Sequence, residues 1–264
     1  MTTWDPAQYL KFADERARPA FDLLARVDAL AVGPPTGGTA PWTVFDLGCG
    51  PGNVTALLRR RWPGASVIGV DSSEAMLANA RANHPEIEFV AADLATFRPP
   101  APADAIVSNA ALHWLPEHAG LFPALGRALA PGGVLAVQMP MSSRQASHTL
   151  MAESAQAGPW RAKASAALPR FSEHEPADYY GWLAPLCRTV DIWETVYLHA
   201  LAGEDAVVEW IKGAALRPVL AVLDQGERAG FLADYRARVA RAYPRLADGT
   251  TLYPFRRLFI VAVK

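Results

Sequence analysis

Short apolar runs alternate with amphipathic stretches between Thr43 and Pro140. Turn residues bound each run, and this pattern is typical of strands that are buried on both faces of a parallel sheet. Strands are predicted at about 43–48, 66–71, 87–92, 104–109 and 133–138. Helices are predicted between them, at about 53–62, 73–83 and 117–130. The alternation of strand and helix predicts right-handed βαβ units, and therefore an α/β fold with a Rossmann-like sheet.

The pattern changes in the second half of the chain. Residues 141–175 are polar and predict irregular structure, and a helix is predicted next at about 176–187. A strand at 190–197 and a final strand at 258–263 complete a seven-stranded, mostly parallel sheet with helices on both faces. Two or three amphipathic helices are predicted between these two strands, and they form a helical cap at about 204–254.

The N-terminal segment has a helical pattern of its own. Asp5 is a good N-cap residue and Pro6 suits the first turn, so a helix is predicted from there to about Leu30, with a break near Pro19. The predicted organisation is a single domain, 1–264, with an N-terminal helical lid, 1–32, a cofactor-binding half, 43–140, and a C-terminal half, 141–264.

A glycine-rich turn, Asp46-Leu47-Gly48-Cys49-Gly50-Pro51-Gly52, joins the first strand of the sheet to the next helix. Glycine is needed where the backbone takes a positive φ or approaches a ligand closely, and the helix N-terminus offers free N–H groups. The dinucleotide fingerprint G-x-G-x-x-G would hold a pyrophosphate here. In this chain the third glycine comes one residue early, and the Asp46 carboxylate would repel a pyrophosphate but pair with an ammonium. The turn therefore favours S-adenosylmethionine, which has an α-amino group and no phosphate.

Polar side chains also end the next three predicted strands. Asp71 is placed to accept the ribose hydroxyls, Asp93 suits the exocyclic amine of adenine, and Asn109 would lie beside the cofactor. Each residue alone is also typical of an N-cap or a turn, but together they indicate a cofactor site at one edge of the sheet. The predicted cofactor-binding residues are Asp46, Gly48, Cys49, Gly50, Asp71, Ser72, Met76, Asp93, Leu94 and Asn109.

Methyl transfer from a sulfonium requires a nucleophile held about 3 Å from the methyl carbon, in line with the leaving sulfur. An amine or alcohol acceptor profits from a general base, whereas a carboxylate is already charged and needs only positioning and desolvation. His113 is the candidate base at the predicted edge, and its alternative role is to hydrogen-bond cofactor or substrate without moving a proton. No catalytic residue is assigned beyond this candidate.

Arginines indicate the chemistry of the acceptor, because a guanidinium binds a carboxylate through two parallel hydrogen bonds. They lie on the N-terminal helix, in the predicted cap, and at positions 256 and 257 before the last strand. A small polycarboxylate is therefore the expected substrate. The predicted substrate-binding residues are Arg16, Arg18, His113, Trp114 and Arg217.

The composition mainly argues against other classes of protein. A net charge of −1 over 264 residues gives no argument for nucleic acid or an anionic membrane surface. No apolar run reaches the ~18 residues of a membrane span, and the first residues lack the pattern of a signal peptide, so a cytoplasmic location is expected. The chain has two cysteines, which do not suggest a disulfide framework. Its sequence has no cluster with the spacing of zinc ligands, so no metal site is predicted. The oligomeric state stays open.

Several stretches resemble the trans-aconitate methyltransferases, a family of class I S-adenosylmethionine-dependent methyltransferases. The glycine turn is shared by the whole class, and the stretches that are more particular to this family lie near both termini and in the cap. These stretches are Trp4-Asp5-Pro6, 9–19, 134–140, 190–193, Leu216-Arg217-Pro218 and 257–262. The resemblance runs from end to end, although His113 and residues 141–175 depart from the family's pattern. It implies methyl esterification of one carboxylate of trans-aconitate and release of S-adenosyl-L-homocysteine, with two carboxylates clamped while the third attacks.

Three other functions are weighed against this one. A methyltransferase for a different carboxylic acid or another small-molecule acceptor is the first, and the arginines favour a small polyacid over a long acyl chain. An NAD-dependent oxidoreductase is disfavoured by the early third glycine and by Asp46. A relative that binds cofactor without turnover is expected to have lost the acids at the strand ends, and this sequence retains them.

Overall fold

The computed structural model describes residues 13–29 and 42–264, with the backbone alone for residues 13–17 and 29. Seven strands form one sheet in the order β3-β2-β1-β4-β5-β7-β6. They are β1 (Thr43–Leu47), β2 (Ser66–Asp71), β3 (Glu88–Ala91), β4 (Ala103–Asn109), β5 (Leu129–Pro140), β6 (Thr189–Ala202) and β7 (Thr250–Val263). β1 pairs in parallel with β2 and β4, β2 with β3, and β4 with β5. The predicted Rossmann-like α/β fold with a seven-stranded, mostly parallel sheet is confirmed.

Ten α-helices lie in the described part of the chain. They are α1 (Ala13–Ala29), α2 (Asn53–Arg61), α3 (Glu74–Asn83), α4 (His118–Ala128), α5 (Ala146–Ala157), α6 (Arg161–Ala166), α7 (Pro176–Leu183), α8 (Ala206–Lys212), α9 (Arg217–Ala221) and α10 (Gln225–Ala242). A short 3-10 turn, Leu112–Trp114, follows β4. Because β1 to β5 are parallel, the polar residues at their carboxyl ends share one edge of the sheet.

β7 runs antiparallel to β5. At the start of β5, the Gly132 N–H donates to the Lys264 carbonyl just past the end of β7, at 3.0 Å. Beyond the end of β5, the Met141 N–H donates at 2.9 Å to the carbonyl of Arg256, which lies in β7 and precedes Lys264 along the chain. The sheet is therefore mixed, and its parallel part is the part that carries the predicted cofactor residues.

The prediction of irregular structure for residues 141–175 is wrong, because α5 and α6 lie there. The reason is that α5 buries polar residues, namely Ser147, His148 and Ser154. A helix whose buried face is polar lacks the apolar periodicity from which helices are predicted.

The predicted break of the N-terminal helix near Pro19 is also wrong, because α1 continues through it. A proline inside a helix costs about 3 kcal/mol. Ala20, Leu23 and Leu24 follow it on the same helix and are fully buried, and their packing offsets that cost. The predicted helix start at Asp5 and Pro6 lies outside the described residues.

Three strands are longer than predicted. β5 begins at Leu129 instead of 133, and α4 ends at Ala128 instead of 130. β6 continues to Ala202, and β7 begins at Thr250, well before the predicted 258. The extensions carry mixed polar and apolar residues, so they do not stand out as apolar runs.

The chain divides into two compact units. The sheet unit comprises Arg16–Pro140, Phe171–Thr195 and Leu258–Lys264. The helical unit comprises Met141–Arg170 and Val196–Arg257, together with residues 13–15. Aromatic rings form part of its own core, as where Trp160, just before α6, meets Phe231 of α10 edge to face with centroids 6.1 Å apart. The division into one domain with a lid and a cap stays a prediction.

Within the described ranges, no helix has both the length and the apolar character needed to cross a membrane. The same residues hold no group of three or more His, Cys, Asp or Glu side chains that could bind a metal ion. Both cysteines are buried free thiols.

Candidate active site

The glycine turn is shaped by backbone conformations that suit glycine. Gly48, Gly50 and Gly52 all have positive φ, at 78°, 53° and 88°. The N–H groups of Gly48 and Cys49 both donate to the Val70 carbonyl on β2, at 2.8 and 3.1 Å. These bonds fasten the turn to the neighbouring strand, and burial raises the pKa of the Cys49 thiol, which keeps it neutral.

Gly48 also lies against the loop that follows β4. A Cβ added at Gly48 would lie 2.1 Å from the Ala111 Cβ, whereas one added at Gly50 would meet nothing within 4 Å. Both positions have positive φ, so both substitutions strain the backbone, but the Gly48 position adds a steric clash.

We expect Gly48→Ala to destabilise the fold by at least about 2 kcal/mol, from the strain together with overpacking. Gly50→Ala is the matched control, with an expected cost of about 1 kcal/mol from the strain alone. Urea unfolding of the two variants measures the difference. Equal destabilisation by the two substitutions would show that the close approach of Gly48 to Ala111 does not contribute to the cost.

Asp46 lies on the interior strand β1, and only 1% of its surface is exposed. The Thr55 hydroxyl, from the first turn of α2, donates to its Oδ2 atom at 2.7 Å. Burial raises the pKa of Asp46 to about 7, the Thr55 bond opposes this shift, and the nearby Asp71 charge adds to it. A buried carboxylate of this kind is stabilised in its charged form by a cation, as expected for the partner of an ammonium group.

Asp71 ends β2 and braces the turn. Its Oδ2 accepts from the Gly50 N–H at 2.9 Å, and its Oδ1 accepts from the Ser73 N–H at 2.8 Å. A carboxylate has about four acceptor positions, so two remain for ribose hydroxyls. The bonds hold this carboxylate beside the glycine turn, where the sequence places it.

The other predicted cofactor-binding residues differ in exposure. Asp93 is exposed, and its Oδ1 accepts from the Ala95 N–H at 2.9 Å, which is the bond of a turn residue. Ser72 is exposed, whereas Met76 and Leu94 are buried. The side chain of Leu94 lies 3.5 Å from where a Cβ on Gly48 would be, so Leu94 adjoins the glycine turn.

Asn109 ends β4 at the same edge of the sheet. Its Oδ1 atom is buried and has no hydrogen-bond partner in the described structure. Ala110 follows with a φ of 55°, a conformation that costs a residue other than glycine about 1–2 kcal/mol. An unsatisfied buried acceptor beside a strained residue is typical of a ligand site, so this edge fits a cofactor that donates a hydrogen bond.

His113 and Trp114 lie on the 3-10 turn that follows this edge. His113 is 4% exposed and its ring lies parallel to that of Phe171, with centroids 6.0 Å apart. Trp114 is 42% exposed, and its ring centroid lies 4.8 Å from that of His113 and 5.0 Å from that of Phe171. The turn therefore presents an aromatic surface, and Phe171 is a member of it that sequence reasoning missed.

The predicted arginines differ in their surroundings. The Arg16 side chain lies outside the described residues. The Arg18 side chain is 71% exposed and lies 3.9 Å from the Asp22 carboxylate, so it is a weakly held surface cation. Arg217 is half-buried at the start of α9, in the helical unit. Arg257 of the same unit is 4% exposed, and its guanidinium lies 4.7 Å from the centroid of the Phe255 ring.

Comparisons with known proteins agree with this geometry. The family model described as "Methyltransferase domain" matches residues 44–133, which include the glycine turn and the polar ends of β2 and β4. Among solved structures, phosphoethanolamine N-methyltransferase 2 of Haemonchus contortus, in complex with phosphomonomethylethanolamine and S-adenosylhomocysteine, is similar with a TM-score of 0.55 at 17% identity. That match covers 94% of this chain and 52% of the nematode protein. The YcgJ protein of Bacillus subtilis is also similar, with a TM-score of 0.55 at 14% identity, over 92% of this chain and 97% of the other.

Two relatives match over the full length. A protein of Methylobacterium nodulans named trans-aconitate 2-methyltransferase is 51% identical, over 99% of this chain and 98% of the relative. A protein of Azoarcus sp. with the same name is 50% identical, over 100% of both chains. The family resemblance expected from the sequence is confirmed, and the oxidoreductase alternative is set aside. On full-length identity of this size, the chain belongs to the trans-aconitate 2-methyltransferase family of S-adenosylmethionine-dependent methyltransferases.

Proposed function

We propose that this protein transfers a methyl group from S-adenosylmethionine to one carboxylate of trans-aconitate, which yields a monomethyl ester and S-adenosylhomocysteine. The observation that carries the proposal is the full-length match to two relatives of that name, at 51% and 50% identity. The geometry supports the donor half of the reaction, because a buried carboxylate and two further polar strand ends lie at the edge of the sheet that carries the glycine turn.

Four residues have distinct roles in donor binding. The buried Asp46 carboxylate pairs with the α-ammonium, and Asp71 accepts hydrogen bonds from the ribose hydroxyls. Asp93 accepts from the adenine amine, and Asn109 offers its unsatisfied Oδ1 to a donor on the ligand. When bound, S-adenosylmethionine supplies an electrophilic methyl group on a sulfonium.

The acceptor side needs no general base, since a carboxylate is already a charged nucleophile. An oxygen–carbon bond forms as the carbon–sulfur bond breaks, and the electron pair goes to sulfur. What the protein must supply is alignment and the exclusion of water. His113 is buried among rings, so its role is to position and desolvate the acceptor, together with Trp114.

Arg217 is proposed to clamp one carboxylate that does not react. We expect Arg217→Ala to raise the KM for trans-aconitate by about 10- to 100-fold, because a hydrogen bond to a charged group is worth about 1.5–3 kcal/mol. The KM for the methyl donor should change little. Initial rates with labelled methyl donor measure both constants.

Arg241→Ala provides the control, because Arg241 is an exposed arginine on α10 whose Nε donates to a carbonyl of its own helix. It should leave both constants unchanged. An Arg217→Ala variant with unchanged KM for trans-aconitate, or with equal changes for both substrates, removes Arg217 from the acceptor site.

A screen of di- and tricarboxylates tests the acceptor directly. Purified enzyme, labelled methyl donor and each acid are incubated, and the base-labile methanol released from the esters is counted. Trans-aconitate is expected to give the largest kcat/KM. A larger value for another carboxylic acid would support the alternative acceptor, and failure of every polyacid would defeat the acceptor assignment while leaving donor binding intact.

The location, the partners and the oligomeric state of the enzyme are less well determined than its reaction. A cytoplasmic location and the lack of a nucleic-acid partner stay predictions from the sequence. The expected small-molecule polycarboxylate partner follows from the proposed reaction, and the oligomeric state stays open.

A further inference from the structure

We propose that His118 is a positioning residue that holds the turn carrying His113 and Trp114 in its working shape. The segment from Ala110 to Glu117 is called the acceptor turn below. The inference rests on the proposed function for what this turn contacts, but its structural part stands on contacts within the sheet unit alone.

His118 is the first residue of α4 and is completely buried. Its Nε2 atom lies 2.9 Å from the Leu112 carbonyl, and its Nδ1 lies 2.8 Å from the Tyr179 hydroxyl. A carbonyl only accepts, so Nε2 carries the proton and donates to Leu112. In the neutral ring Nδ1 is then the acceptor, and the Tyr179 hydroxyl donates to it. Burial lowers the pKa of His118 and so favours this neutral form.

The acceptor turn needs stabilising contacts because its backbone is strained at both ends. Ala110 and Glu117 have φ values of 55° and 60°, and they are the non-glycine residues with positive φ in the described structure. Each costs about 1–2 kcal/mol and persists only where surrounding contacts fix it. The strain at its two ends means that the turn relaxes when an internal contact is lost.

Hydrogen bonds to residues outside the turn supply part of these contacts. The Ala110 N–H donates to the Gln138 carbonyl at 2.9 Å, and the Ser172 N–H donates to the His113 carbonyl at 3.0 Å. A further bond runs from the His118 side chain to the Leu112 carbonyl, which also accepts from the Leu115 N–H at 2.9 Å. His118 is therefore the contact that a substitution can remove without changing the backbone.

Tyr179 is the second member of this arrangement. It is buried on α7, its ring packs edge to face on Phe122 with centroids 4.7 Å apart, and its hydroxyl orients the His118 ring. The segment that leads into α7 also supplies Phe171, which stacks on His113. One stretch of chain thus supports the acceptor turn at two points.

The test compares His118→Leu with His118→Gln. Leucine fills the space but cannot donate, whereas the glutamine amide can still donate to the Leu112 carbonyl. We expect His118→Leu to raise the KM for the acceptor about tenfold, as for one lost buried hydrogen bond, with the donor dissociation constant unchanged. His118→Gln is expected to restore most of the wild-type KM.

Tyr179→Phe is a milder second variant that keeps the fold if His118→Leu does not. It should shift the acceptor KM in the same direction by a smaller factor. Tyr180→Phe is its matched control, because Tyr180 is the next residue on α7 and is exposed. It should behave as wild type.

Hydrogen exchange separates this inference from the proposed reaction. Peptides covering residues 110–116 should exchange faster in His118→Leu, while peptides from β1 and β2 keep the wild-type rate, whichever acid is the substrate. Unchanged exchange in 110–116, or equal losses of acceptor and donor affinity, overturns the positioning role. If the wild type methylates no polyacid but the exchange result holds, the proposed function fails and the role of His118 in shaping the turn stands.

Discussion

Asp71→Ala is expected to lower the affinity for S-adenosylmethionine by at least about 100-fold. The proposed contacts are two hydrogen bonds from ribose hydroxyls to a charged carboxylate, each worth about 1.5–3 kcal/mol. The variant also removes the bonds that Asp71 accepts from the Gly50 and Ser73 N–H groups, so the glycine turn loses a brace. Calorimetric titration measures the affinity, and thermal unfolding reports how much of the loss comes from the fold.

Two further variants separate the causes. Asp71→Asn keeps the volume and one acceptor oxygen, so it should retain the brace to one N–H and bind with intermediate affinity. Glu74→Gln removes an exposed acid three positions further on, which pairs with Arg81 at the surface, and it should bind as wild type. Affinity within about twofold of wild type in Asp71→Ala would mean that Asp71 serves the turn and not the ribose.

The sheet and the positions of its polar strand ends were predictable for a physical reason. Parallel strands that are buried on both faces read as short apolar runs, and their carboxyl ends must share an edge. Asp46, Asp71 and Asn109 therefore stand out as polar residues at the ends of apolar runs, and each lies on or at the end of a strand in this part of the sheet.

The helical unit was harder to predict because its burial is partly polar. Ser147 is buried on α5, and its partners are tyrosines that lie about 90 or more residues further on. The Tyr235 hydroxyl donates to its carbonyl at 2.8 Å, and the Tyr243 hydroxyl accepts from its N–H at 3.0 Å. Only the fold brings these groups together, so the sequence of 141–175 gives no sign of a helix that is stabilised in this way.

The supporting residues of the site were missed for the same reason. Thr55 looks like an ordinary helix residue until its hydroxyl is seen to donate to Asp46. His118 looks like a surface residue near a helix start until Tyr179 and the Leu112 carbonyl are seen on its two nitrogens. A local signal for Thr55 did exist, since a hydroxyl in the first turn after a glycine loop can reach back to the preceding strand.

Asp46→Asn is expected to stabilise the ligand-free protein at alkaline pH. The folded pKa of Asp46 is about 7, well above the ~3.9 of an unfolded aspartate. Between pH 4 and pH 7, Asp46 is therefore protonated in the folded state and charged in the unfolded state. The contribution of this proton to stability is complete below pH 4 and is lost as pH rises through 7. At pH 8 the penalty of the buried charge is about 4 kcal/mol, and Asn does not titrate. The Tm of the variant minus that of the wild type should rise from pH 5 to pH 8.

The same substitution is expected to weaken donor binding and to remove its pH dependence. An ammonium pairs with charged Asp46, so binding to the wild type below pH 7 must expel a proton, and the affinity falls towards tenfold for each pH unit below that point. Calorimetry at pH 6 in buffers of different ionisation enthalpy measures the protons released on binding. The wild type should release nearly one proton, and Asp46→Asn should release fewer. Any proton that Asp46→Asn does release comes from the donor's own amine, so the variant is also the control. Equal proton release by both proteins would exclude Asp46 as the partner of the ammonium. A gain in stability with unchanged affinity would make Asp46 a buried acid without a role in the donor site.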